Sequence, residues 1–258
     1  MISTVIKVPG EALTCMSDPE HLLLIADISG YTPFMRLHAM SLAHAQDIVS
    51  DLIDGLIDAS GVPFELCKVE GDAAFLYAPI SVDDDLSSLL DSVMRMQRAF
   101  HGMRREVAQN TVCLCDACQQ ASALRVKFVV HLGPVRMHRH RGLVDLAGFE
   151  VVVAHRLLKV QVPAREYLLA TQAVLARMPK RSSAARLVTE LAGIGRAELG
   201  YFELPACRAE VEGTLPLWLR WKISLRRTWR TLPLILGMQE PCAGFRNVVD
   251  AGIARTVG

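Results

Sequence analysis

Two aspartates in this chain stand where an apolar run meets a glycine turn. Asp27 follows Leu22-Leu23-Leu24-Ile25-Ala26 and leads into Ile28-Ser29-Gly30-Tyr31-Thr32, and Asp72 closes Lys68-Val69-Glu70-Gly71. A strand end holds a carboxylate rigidly, and a neighbouring glycine lets the backbone come close to a phosphate. Hard oxygen donors in that setting suit Mg²⁺ and triphosphate oxygens. One such aspartate alone is more often a helix or turn cap; two in matching contexts point to metal-assisted phosphate chemistry. A second cluster, Cys113, Cys115 and Cys118, has the spacing C-x-C-x-x-C. Three thiolates so close suit a structural zinc ion, which needs four tetrahedral ligands, with Cys67, His131 or a second chain as the fourth. The alternative is three reduced, redox-sensitive cysteines in a loop. His131, His138, His140 and His155 are interleaved with arginine and fit no ligand spacing, so they read as solvated or core histidines.

The elements that must position these groups follow from periodicity. Leu22 to Ala26 is a buried strand delivering Asp27 at its end. Leu42, Ala45, Ile48, Val49, Leu52, Ile53 and Leu56 recur at helical spacing between Ser41 and Ala59, and Gly61-Val62-Pro63 stops that helix. Phe64 to Val69 and Ala73 to Tyr77 form a hairpin turning at Glu70-Gly71-Asp72. A helix follows Asp83-Asp84-Asp85 and runs to about Val107, and Asn110 to Ser122 is the cysteine-bearing loop. Leu124 to His131 is a strand; a basic turn with His138 to Arg141 leads to a short strand, Leu143 to Leu146, and helical spacing resumes from Gly148 through Val152, His155, Arg156 and Lys159. Tyr167 to Ala170, Arg186 to Leu191 and Glu198 to Glu203 complete the strands. The order β-α-β-β-α-β-β-α-β predicts an α+β fold, not an alternating doubly wound one.

Composition narrows the function classes. A hydrophobic fraction of 51% supports a sizeable core, and a net charge of +1 gives no overall field for nucleic acid. Seven cysteines without a signal-peptide pattern, and no apolar run long enough to cross a bilayer, predict a cytoplasmic protein.

Asp27-Ile28-Ser29-Gly30-Tyr31-Thr32 resembles the opening motif of class III adenylyl and guanylyl cyclases, and Lys68-Val69-Glu70-Gly71-Asp72 resembles their second. His131-Leu132-Gly133-Pro134-Val135 is similar to the family's next strand and Gly-Pro turn, and Asp145 to Arg156 to its last motif. The resemblance covers roughly Leu22 to Phe202. The detail, Cys113-Leu114-Cys115-Asp116-Ala117-Cys118 and His155-Arg156-Leu157-Leu158-Lys159, is closer to a bacterial branch of that clan catalogued as a domain of unknown function.

The resemblance implies a ferredoxin-like class III nucleotidyl cyclase fold, a mostly antiparallel sheet flanked by helices, working as a head-to-tail homodimer. Asp27 and Asp72 would hold two Mg²⁺ or Mn²⁺ ions, Lys68 and Asp145 would recognise the base, and Arg156 would stabilise the transition state. Lys68 donates to the N1 acceptor of adenine and Asp145 accepts from its amine, which favours ATP and a cyclic AMP product. The family's catalytic asparagine is Val152 here, and its phosphate-binding lysine is matched only by Arg196. Two other readings stay open: a degenerate cyclase that senses nucleotide, favoured by Val152, and a cyclase acting on a pyrimidine triphosphate.

The resemblance divides the chain into an N-terminal segment, 1–20, a cyclase-like domain, 21–205, and a tail, 206–258. Within 214–238, Trp218, Trp221, Leu225, Trp229 and Leu232 fall on one helical face and Lys222, Arg226, Arg227 and Arg230 on the other. Such a helix packs on the core, lies peripherally on an anionic membrane or docks on a partner.

Overall fold

The fold is built around β1, Glu20–Ser29, the strand that carries Asp27. The computed structural model describes residues 19–37, 42–81, 84–110, 121–140, 143–179 and 183–207, with residue 225. The Cys113, Cys115 and Cys118 cluster, the 1–18 part of the N-terminal segment and the amphipathic 214–238 stretch (Leu225 apart) lie outside the described residues.

β1 reads as a continuous apolar run because both its faces are covered. Leu22, Leu24, Ala26 and Ile28 pack in one cluster with α1 (Tyr31–Leu37), α2 (Leu42–Ser60) and α3 (Leu89–Asn110). Leu23 and Ile25 pack in a second cluster, on the opposite face, with Ala154 and Leu157 of α4 (Phe149–Leu157). Side chains alternate along a strand, so Asp27, next in the odd series, is placed on the α4 side.

Seven strands form one sheet in the order β2-β3-β1-β4-β7-β9-β8. They are β2 (Glu65–Glu70), β3 (Ala73–Pro79), β4 (Arg125–Pro134), β7 (Tyr167–Thr171), β8 (Ala185–Leu191) and β9 (Gly195–Glu203), beside β1. Every pairing is antiparallel except β4 with β7. The first four strands with α2 and α3 make the βαββαβ core of a ferredoxin-like fold. β5 (Arg136–His140) and β6 (Leu143–Ala147) form a separate two-stranded ribbon.

The stretch read as a basic turn, His138 to Arg141, is thus largely strand: Arg136 to His140 pairs residue by residue with β6. Its described side chains are exposed, so burial imprints no alternation there. Asp84 does not begin a helix; it accepts a 2.7 Å hydrogen bond from Ser81 N–H in a turn, and α3 starts at Leu89. The short α1 and α5 (Gln172–Arg177) carry too few turns for a periodic signal.

Candidate active site

The β2–β3 turn brings the two aspartates together. Gly71, at φ +65°, makes the turn, and Ile28 N–H donates to the Asp72 carbonyl at 3.0 Å, which pins the turn on the end of β1. Asp27 is itself the register partner of Ala73. Burial, and then the Asp27 charge, push the Asp72 carboxyl above the usual carboxylate range. Two hard oxygen donors set against each other's charge in a half-buried corner are a fit for divalent cations.

Lys127 also enters this corner. It is the β4 register partner of Asp27, and its ammonium lies 2.9 Å from Asp27 Oδ2. The same nitrogen donates to the Leu158 carbonyl at 3.3 Å, just past the end of α4, where a helix dipole favours cations. The Lys127 and Lys159 charges partly offset the upward shift of Asp72. Periodicity alone could not reveal Lys127, because only the β1–β4 register sets it opposite Asp27.

Lys68 and Asp145 meet across the gap between β2 and β6, with Lys68 Nζ 3.4 Å from Asp145 Oδ1. A bulge in β2 between Leu66 and Lys68 shifts the register immediately before the lysine, as bulges do where a side chain must be re-aimed. The bulged residue, Cys67, directs its thiol toward the Val144 carbonyl at 3.9 Å, and burial raises the thiol pKa, which keeps it protonated. Glu70 holds Lys68 more closely, at 3.0 Å, and raises the Lys68 pKa most, with Asp145 adding to it. Glu70 Oε2 also stands 3.7 Å from His155 Nδ1. Sequence reading passed over Glu70, although strand alternation puts it on the face of Lys68 two residues earlier.

On α4, Val153, Ala154 and Leu157 face the sheet, whereas Val152 (46% exposed) and Arg156 face outward one turn apart. His155 packs edge-on against Phe75, ring centroids 5.4 Å apart. Glu150 accepts from His131, whose other ring nitrogen is 3.0 Å from Thr171 Oγ1. A Cβ on Gly133 would lie 2.6 Å from Glu150 Cγ, which explains the glycine after His131-Leu132. His131 is therefore a buried structural residue. Among the described residues, no group of three or more His, Cys, Asp or Glu is arranged to hold a metal by itself.

Arg196 lies apart from Asp27 of the same chain. It opposes Glu190 near the β8–β9 turn, whereas the strand registers put Glu203 level with Asp27. That is three strands across and roughly 20 Å further along β9.

The chain is 32% identical over 206 residues to the uncharacterized protein Rv2561/Rv2562 of Mycobacterium tuberculosis (strain ATCC 25618 / H37Rv), covering 78% of this chain and 94% of the relative. It belongs to that protein's family. Residues 49–167 match the family described as Protein of unknown function (DUF2652).

The guanylyl cyclase Cya2 shares the fold at a TM-score of 0.56 and 13% identity, over 75% of this chain and 98% of that one. An adenylate cyclase structure from Trypanosoma brucei matches at 0.50 and 18% identity, over 71% and 88%. The fold is that of the class III nucleotidyl cyclases. No helix among the described residues is long and apolar enough to cross a membrane.

Proposed function

We propose that this chain is a nucleotidyl cyclase that converts ATP to cyclic AMP and pyrophosphate, at a site shared between two copies of the chain. The observation that carries the reading is the convergence of Asp27 and Asp72, from a strand end and a hairpin turn, within the cyclase fold. The pairing of Lys68 with Asp145 supports it.

Asp27 and Asp72 would hold two Mg²⁺ or Mn²⁺ ions, which when bound supply Lewis acidity toward the ribose 3′-hydroxyl and neutralise the pyrophosphate charge. Lys68 donates to adenine N1 while Asp145 accepts from the exocyclic amine. Lys127, drawn off Asp27 when the carboxylate is taken, is left beside the triphosphate. The 3′-oxygen bonds to the α-phosphorus as the bridging bond to the β-phosphate breaks, pyrophosphate leaves with that electron pair, and the hydroxyl proton passes to water. Arg156, from the second copy together with Lys68 and Asp145, stabilises charge on the α-phosphate, an effect worth about 3–4 kcal/mol for a preorganised donor. Arg196 contributes a further cation to the triphosphate in this reading. The domain spans 21–205, with a tail from 206 that rests on the core or on an anionic membrane, and Cys113, Cys115 and Cys118 hold a structural zinc.

One observation favours a second reading. Val152 is exposed, apolar and one turn from Arg156, and offers no hydrogen bond where the resembling cyclases have an amide. A chain that binds ATP without turning it over would be a nucleotide sensor. Incubating the protein with ATP and Mn²⁺ separates the two. Cyclic AMP that disappears in Asp72→Ala supports the cyclase, whereas ATP binding without product supports the sensor.

A further inference from the structure

A nucleotide whose base lies on Lys68 and Asp145, and whose phosphates reach Arg156, must carry its ribose between them. This inference rests on that reading of the site. The groups at that place are Glu70, two residues beyond Lys68 on β2, and His155, adjacent to Arg156 on α4. Glu70 reaches both sides: Oε1 takes the Lys68 ammonium at 3.0 Å, and Oε2 faces His155 Nδ1 at 3.7 Å.

The 3.7 Å separation exceeds a hydrogen bond, yet one hydroxyl oxygen can sit within bonding distance of both atoms. Oε2 accepts from such a hydroxyl, and the imidazole serves as donor or acceptor according to its tautomer. His155 is held for this by its edge contact with Phe75, and Glu70 by its ion pair with Lys68. Carboxylates read ribose hydroxyls in other nucleotide sites for the same reason: they accept without needing a proton of their own. Val152, one turn from His155, supplies no polar atom.

We propose that Glu70 and His155 form the ribose-recognition pair of this site, taking the sugar hydroxyls that the apolar Val152 cannot. The pair would make binding depend on the sugar hydroxyls, whereas Lys68 and Asp145 make it depend on the base.

The test is calorimetric binding, with Mn²⁺, of non-cleavable α,β-methylene ATP and of its 2′,3′-dideoxy counterpart. The wild type is expected to prefer the hydroxyl-bearing ligand about tenfold, as one charge-assisted hydrogen bond allows. Glu70→Ala should bring that preference within about twofold, because the hydroxyl-bearing ligand loses its sugar contact on top of whatever loosening of Lys68 costs both ligands alike. Glu70→Gln, which keeps an acceptor of the same shape, should fall between, and His155→Phe, which keeps the ring on Phe75, should lose part of the preference. If Glu70→Ala weakens both ligands equally, or if the wild type does not discriminate, the pair has no sugar role and nucleotide binding itself still stands. If the wild type binds neither ligand, the inference falls together with the reading it rests on.

Discussion

Lys127 and Asp27 face each other across the β1–β4 register, ammonium to carboxylate at 2.9 Å, with the carbonyl of Leu158 as the third member of the contact. A divalent ion that binds Asp27 must displace that ammonium. Replacing Lys127 with methionine is therefore expected to tighten Mn²⁺ binding severalfold when no nucleotide is present, and to weaken ATP binding. Titration calorimetry with each ligand measures both effects.

Asp72 gives a prediction with a definite sign in pH. Burial, and then the charge of Asp27, raise its carboxyl above the usual range. A carboxyl raised on folding favours the native state while protonated, and that contribution is lost as pH rises through its folded value. Above that folded value the ionised Asp72 thus works against stability. Asp72→Asn should melt a few degrees higher than wild type in EDTA. Mn²⁺ should raise the wild-type Tm at neutral pH, leave the variant unmoved, and lose its effect as acid protonates Asp72.

Away from the site, Glu166 ties together the start of β7, α3 and β4. It is buried, and accepts from Gln97 at 2.8 Å and from Val126 N–H at 3.3 Å, with His101 Nε2 at 2.8 Å. Burial pushes its carboxyl up most strongly, but those partners together bring it below the usual range. Its contribution is present above the ordinary carboxylate value and lost as pH falls through the lowered one. Glu166→Gln should cost about 1–3 kcal/mol at neutral pH, as weakening the hydrogen bonds to a buried carboxylate does. Urea denaturation should show that gap narrowing in acid.

Gly133 and Glu150 predict a non-additive pair. Gly133→Ala places a methyl 2.6 Å from Glu150 Cγ while Glu150 is held by His131. Overpacking of this kind costs about 1–3 kcal/mol. Adding Glu150→Ala should recover part of the loss, so the double variant is more stable than the sum of the singles. Chemical denaturation of all three variants checks this.

How much of this was legible in the sequence depended on what burial imprints. The β1 run, the α2 stripe from Ala45 to Leu56 and the turn at Gly71 were readable because core packing and a positive φ dictate residue type. The β5 strand was not, because its described side chains are exposed and burial imposes no alternation on them. The aspartates, Lys68 and Asp145 stood out by motif. Lys127 and Glu70 did not, because their importance lies in register and in contacts with residues far along the chain. Lys68 and Asp145 themselves are 77 residues apart and meet only through the bulge in β2 and the β5–β6 ribbon.

The central claim is that one reaction site is assembled from two copies of the chain, with Asp27 and Asp72 from one and Arg156 from the other. Mixing Asp72→Ala with Arg156→Ala tests it most directly, with cyclic nucleotide from ATP and Mn²⁺ read by mass spectrometry. Each variant alone should fall by about a hundredfold or more. Random pairing restores one intact site in half the dimers, so the mixture should recover about a quarter of wild-type activity. A mixture as inactive as its components, beside an active wild type, would place the whole site within one chain, and a wild type that yields no cyclic nucleotide would contradict the account outright.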